Sequence, residues 1–152
     1  MSLWAATAES AAVPSGTMST ILEVNPPSGR KMVVTEASLT FSGVSATDVP
    51  VLAQWCRVTA ASAAGTTVTP ADMKDTGLTV GAAAKKLPAT EGTVTVLKTY
   101  MIPPSSGLVI QYPLGREPEV IGAAASAKGF SLRCNRGAGA AINVDANIEW
   151  EE

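Results

Sequence analysis

The chain has 152 residues and a formal net charge of −2, with 16% charged residues and no histidine. The charged fraction lies well below the roughly 25% of typical soluble domains, and the balance gives no general attraction for nucleic acid or an anionic membrane. Without histidine the commonest general base and metal ligand is missing, as is every Ser-His-Asp or Cys-His device.

The length fits one domain with a real core. No uninterrupted apolar run reaches the ~20 residues of a transmembrane helix. Met1–Glu9 lacks the basic and apolar regions of a signal peptide, so the expectation is a protein made and used without Sec export. Low charge and small side chains suggest a surface partly covered by other subunits.

Residues 1–16, rich in Ala, Ser and Thr, show no sustained periodicity and read as an N-terminal arm, mobile alone or ordered against a partner. Its apolar residues Leu3, Trp4 and Val13 are candidate anchors into a neighbouring subunit. Alternatively, Leu3 and Trp4 tuck against their own domain, which spans 17–152.

Strands are expected at Thr17–Val24 and Arg30–Ser42, separated by the Asn25-Pro26-Pro27-Ser28-Gly29 turn. In the second, Val33, Thr35, Ala37, Leu39 and Phe41 share a face. Gly43–Pro50 is a loop, and Val51–Ala60 a strand with Val51, Ala53, Trp55 and Arg57 on one side. Residues 61–92 form a long excursion carrying one or two short strands. The Ala82-Ala83-Ala84-Lys85-Lys86 run is too tightly bracketed by Gly81 and Pro88 for a stable helix.

Alternation returns at Thr93–Ile102, then at Leu108, Ile110 and Tyr112 after the Pro103-Pro104 turn, briefly at Val120-Ile121, and at Gly129–Asn135. The clearest stretch is the last. Ile142, Val144, Ala146, Ile148 and Trp150 alternate with Asn143, Asp145, Asn147, Glu149 and Glu151, giving one dry and one wet strand face. About eight short-spaced strands, Pro/Gly turns and almost no helix predict an all-β antiparallel sandwich.

Chemistry-bearing groups are sparse. Cys56 and Cys134 sit inside predicted strands and read as buried free thiols, with a disulfide open only if those strands are neighbours. Gly137-Ala138-Gly139 reads as a turn rather than a phosphate loop. The carboxylate candidates Glu117/Glu119 and Asp72/Asp75 fall in loops, where solvation is the default. Asp145 and Glu149 share the wet face of the last strand, where solvation or a subunit contact outweighs a Ca²⁺ site. Lys85-Lys86 and Arg133/Arg136 are small basic spots without a stacking platform. No cofactor is expected. Trp55 and Trp150 read as core or interface residues before they read as a sugar-binding face.

The order of these pieces carries a resemblance. The arm leads to Ile21-Leu22-Glu23-Val24, then to Gly65-Thr66-Thr67-Val68-Thr69-Pro70-Ala71-Asp72-Met73-Lys74-Asp75, to Met101-Ile102-Pro103-Pro104 and to Ile148-Glu149-Trp150-Glu151-Glu152. Together these resemble small virion proteins of tailed bacteriophages, of the single jelly-roll kind that decorates or cements the capsid. The resemblance implies a jelly-roll sandwich, often trimeric, on the virion surface. It would hold the major capsid protein lattice by surface contact and a terminal arm, with no catalytic residues. The alternative reading is a carbohydrate- or receptor-binding sandwich of the fibre-tip or lectin-like kind, using an exposed Trp such as Trp55.

Overall fold

In a computed structural model that describes residues 2–43, 49–74, 76–124, 127–139 and 141–152, the chain forms two antiparallel sheets packed face to face. The strands are β1 (Leu3–Ala12), β2 (Ser19–Asn25), β3 (Lys31–Phe41), β4 (Val51–Ala60), β5 (Thr66–Val68), β6 (Ala71–Asp72), β7 (Ala83–Lys86), β8 (Thr93–Ile102), β9 (Gly107–Gln111), β10 (Glu119–Ile121), β11 (Gly129–Asn135) and β12 (Asn143–Glu151). The described residues contain no helix.

Eight of these strands make the frame. One sheet runs β1-β12-β3-β9, and the other runs β2-β11-β4-β8. The chain crosses from sheet to sheet at nearly every step, which is jelly-roll topology. The four remaining strands are short additions. β6 and β10 extend the first sheet and β5 and β7 the second. The 61–92 excursion therefore supplies three short strands rather than one or two.

The N-terminal stretch departs from expectation. Leu3–Ala12 is not an arm: it is β1, a full frame strand paired along β12 and, at Trp4 and Ala5, with β6. Its inward residues are Trp4, Ala6 and Ala8, then Ala11 and Val13, all buried. The switch from even to odd comes from a bulge between Ala8 and Ala11, where Ser10 takes φ of 47°. An extra residue in one strand shifts the pleat by one and so changes which side chains face inward.

A second bulge explains another departure. Opposite Glu149 and Trp150, β3 presents Glu36 and Val34, so Thr35 is the extra residue. Met32 and Val34 point inward before it, and Ala37, Leu39 and Phe41 after it. The single stripe expected from Val33 to Phe41 is thus split. By contrast β4 and β12 follow their alternation: Val51, Ala53 and Trp55, and Val144, Ala146, Ile148 and Trp150, all join the core.

The core is one cluster between the sheets, and burial of each large side chain in it contributes about 1.5–3 kcal/mol. Trp4 and Trp150 face each other across the β1–β12 ladder, while Trp55 packs edge-on against Tyr100 with ring centroids 5.0 Å apart. At one end, the backbone of β10 closes on the β2–β3 turn. A Cβ on Gly122 would lie 2.0 Å from the Pro27 carbonyl oxygen, so only glycine fits there.

Candidate contact surface

The two sheets present opposite kinds of outer face. On the β2-β11-β4-β8 sheet, the outward residues Glu23, Ser131 and Cys56 lie side by side in register, and all three are fully buried. Their cover is the chain's own excursion. Ser62 donates its backbone N–H and its hydroxyl to the Glu23 carboxylate at 3.2 and 2.8 Å, and Lys85 Nζ sits 3.7 Å from Glu23 Oε1 while donating to the Ser62 carbonyl.

A second clasp lies beside the first. Glu91 accepts from the Thr20 N–H at 2.7 Å and from its hydroxyl at 2.6 Å, and Arg133 Nη2 lies 3.5 Å away. A carboxylate taken out of water needs compensating donors and a cation, and both clasps supply them. The lysine and arginine of the two basic spots are therefore partly spent within the fold. Arg136 likewise donates to the carbonyls of Val13 and Gly139, which fixes the 136–139 turn.

Among the described residues, the outer face of β1-β12-β3-β9 has no such cover. Its rows, read from the register, are Thr7–Asn147–Ser38–Val109, Ala5–Glu149–Glu36–Gln111 and, nearer one end, Asp145–Thr40–Gly107. Apart from Ala5, Val109 and Gly107 these residues are polar, and all are half-exposed or exposed. Gln111 Nε2 donates to Glu36 at 2.9 Å, Asn147 Nδ2 to Glu149 at 3.4 Å, and Thr7 to Asn147 at 3.1 Å. Among the described residues no lysine or arginine pairs with Glu36, Glu149 or Asp145. The Glu149 carboxyl is held above its ordinary value, chiefly by partial burial and then by the neighbouring Glu36. The result is a face about four strands wide that carries three carboxylates, with a depression at Thr40 and Asp145.

Apolar groups are exposed at its edge. Val109 and Ile121 lie on the edge strands β9 and β10, and Leu114 is 97% exposed. Leu114 sits at the tip of a turn closed by the Arg116 N–H on the Pro113 carbonyl at 2.9 Å, with Gly115 at φ 82°.

The residues singled out from sequence are dispersed. Trp4 and Val13 are buried in their own core and Leu3 is half-buried on β1, so this fold does not offer them as free anchors. Strand pairing of β1 consumed the segment that lack of periodicity had marked as loose. Trp55 is fully buried and presents no sugar-binding face. Glu119 pairs with Lys31 at 2.5 Å. Asp72 accepts from Lys74 and Thr76 in a turn, and the Thr76 hydroxyl above all holds its carboxyl below the usual range. Asp75 lies outside the described residues. Asp145 accepts the Ser10 N–H at 2.7 Å and so secures the β1 bulge.

Cys134 stands opposite Ala53 with its side chain in the core, whereas Cys56 stands opposite Ser131 on the outer face, so the two thiols are free and separated by the sheet. Among the described residues no three His, Cys, Asp or Glu side chains are grouped to hold a metal ion. Sequence reasoning missed the clasps and the open face. The one signal for the first was a glutamate within the apolar run Ile21–Val24.

No protein-family model matches the chain, and a search of curated proteins returns no match either.

Proposed function

We propose that this protein works by contact, as a capsid decoration or cement subunit of a tailed bacteriophage that stabilises the lattice of its major capsid protein. The observation that carries the reading is the asymmetry of the sandwich. One outer face is roofed by the chain's own excursion over β2, β11 and part of β4, with Val96 and Met101 exposed on β8, and the other, largely polar, has no such roof among the described residues. A jelly roll with one bare face has a ready surface for a protein neighbour.

The size is adequate. Four strands about 4.8 Å apart, of 10, 9, 11 and 5 residues at about 3.4 Å each, give a footprint on the order of 600 Å². A standard interface takes ~800 Å² from each partner, so flanking elements such as the Leu114 turn would complete it. Contact through a face replaces the arm in this reading, because β1 belongs to the frame. Self-association, with a trimer favoured, is part of the same proposal.

Ser38 tests it. It lies in the middle of the open face and makes no side-chain hydrogen bond among the described residues. Ser38→Arg should abolish retention on shells of the major capsid protein with the melting temperature unchanged. Lys98→Glu, on β8 of the other sheet, should leave retention intact. Wild-type retention by the Ser38→Arg protein would remove this face from the interface.

A further inference from the structure

The end of the sandwich where the β2–β3 turn meets residues 78–82 carries a groove that the contact reading does not use. Two depressions of about 260 and 230 Å³ adjoin there and share Arg30, Thr79 and Glu152. The walls are fixed. The Glu152 carboxylate accepts the amide N–H groups of Gly81 at 2.5 Å and Ala82 at 3.2 Å, and its backbone exchanges two hydrogen bonds with Ser2. The Arg30 backbone is held by Pro27 and Gly122 at 3.0 and 2.9 Å.

Glu152 is partly spent on these amides, but other side chains at the groove are not. Arg30 is exposed, and its guanidinium has no hydrogen-bond or ion-pair partner among the described residues. Trp4 floors the smaller depression at 4% exposure, with its indole N–H buried in the core and out of a ligand's reach. Leu78 lines the same depression, 61% exposed and outside the core.

The mixture of groups selects the ligand class. An anion would meet the Glu152 carboxylate, and a cation would meet Arg30. A neutral ligand whose groups both donate and accept satisfies the two together. The guanidinium offers only donors, and carboxylate oxygens retain lone pairs beyond those given to two amides. The Thr79 hydroxyl serves either way, and Leu78 gives a C–H face something apolar to rest on. Each depression is smaller than the ~300–1,000 Å³ of pockets that enclose a drug-sized ligand, which suits one ring at a time.

We propose that this groove binds a neutral saccharide of one or two rings, with Arg30 and Glu152 reading its hydroxyls. The proposal stands independently of the capsid reading.

The test is a titration of ¹⁵N-labelled protein with maltose, cellobiose, lactose and diacetylchitobiose, and separately with a blocked neutral tripeptide and with inorganic phosphate. At least one disaccharide should give saturable shifts at the Arg30, Thr79 and Gly81 amides, with dissociation constants of about 1 mM. Arg30→Ala and Thr79→Val, both at exposed positions, should each weaken binding about tenfold with the melting temperature unchanged. The proposal is overturned if none of the four sugars gives saturable shifts, if only the peptide or phosphate does, or if Arg30→Ala binds sugar as wild type does.

Discussion

Glu149 on β12 stands directly opposite Glu36 on β3, in the middle of the open sheet face. Like charges paired across strands destabilise a sheet, and among the described residues only amides from Gln111 and Asn147 soften the contact. A carboxyl whose folded pKa is raised holds its proton more tightly folded than unfolded. Stability is then greatest in acid and falls as pH rises from the ordinary glutamate range through the raised value. Glu149→Gln should therefore stabilise the protein at pH 7 by about 0.5 kcal/mol, a figure kept small by solvent screening. The gain should vanish below the ordinary glutamate range. Urea titrations at the two pH values check this, and a gain that persists in acid would assign the effect to something other than charge.

Because β1 is a frame strand, its loss should unfold the sandwich rather than trim an appendage. Trp4→Ala removes a buried indole that faces Trp150 and should cost about 3–5 kcal/mol, a large share of a typical domain's 5–15. Deletion of residues 2–13 should leave no cooperative transition by calorimetry. A truncated protein that melts like the full chain would restore the arm.

The Glu23 clasp predicts a local weakness. Lys85→Met leaves a fully buried carboxylate with Ser62 as its remaining donor and no cation. A loss of about 2–3 kcal/mol is expected, below the value for a wholly buried pair because Lys85 is itself partly exposed. Hydrogen exchange should locate the damage at the Ser62 amide and its neighbours before the core strands respond. Uniform acceleration across all strands would show that the clasp does not act locally.

The cysteines should be inert in the native state. Burial pushes the Cys56 thiol up to about 11 despite the Arg133 guanidinium beside it, and burial pushes Cys134 higher still. Only the thiolate reacts readily. A thiol reagent at pH 8 should label neither in native protein and both after denaturation. The native mass should be unchanged by reductant.

Much of the frame was legible in the sequence, and its blind spots have physical causes. β12 showed itself because apolar and polar side chains alternate without a break from Val144 to Glu151. β1 did not, because in Trp4-Ala5-Ala6-Thr7-Ala8 small residues occupy both faces and the bulge at Ser10 then reverses the phase. The same reversal at Thr35 put Val33 on the expected stripe in place of Met32 and Val34, which are the inward residues. Bulges are set by pairing with a neighbour, so a single strand read alone cannot display them. The roofed face was hidden for a related reason: Glu23 is polar yet interior only because Ser62 and Lys85 arrive from a distant segment.

Reconstruction of the protein bound to shells of the proposed partner, a tailed-phage major capsid protein, tests the central claim most directly. The account predicts that the outer face of β1-β12-β3-β9, with Ser38, Glu36 and Glu149, is turned toward the shell while the roof at Ser62 points away. A bound protein with that sheet exposed to solvent, or shells that acquire no such density, would contradict it.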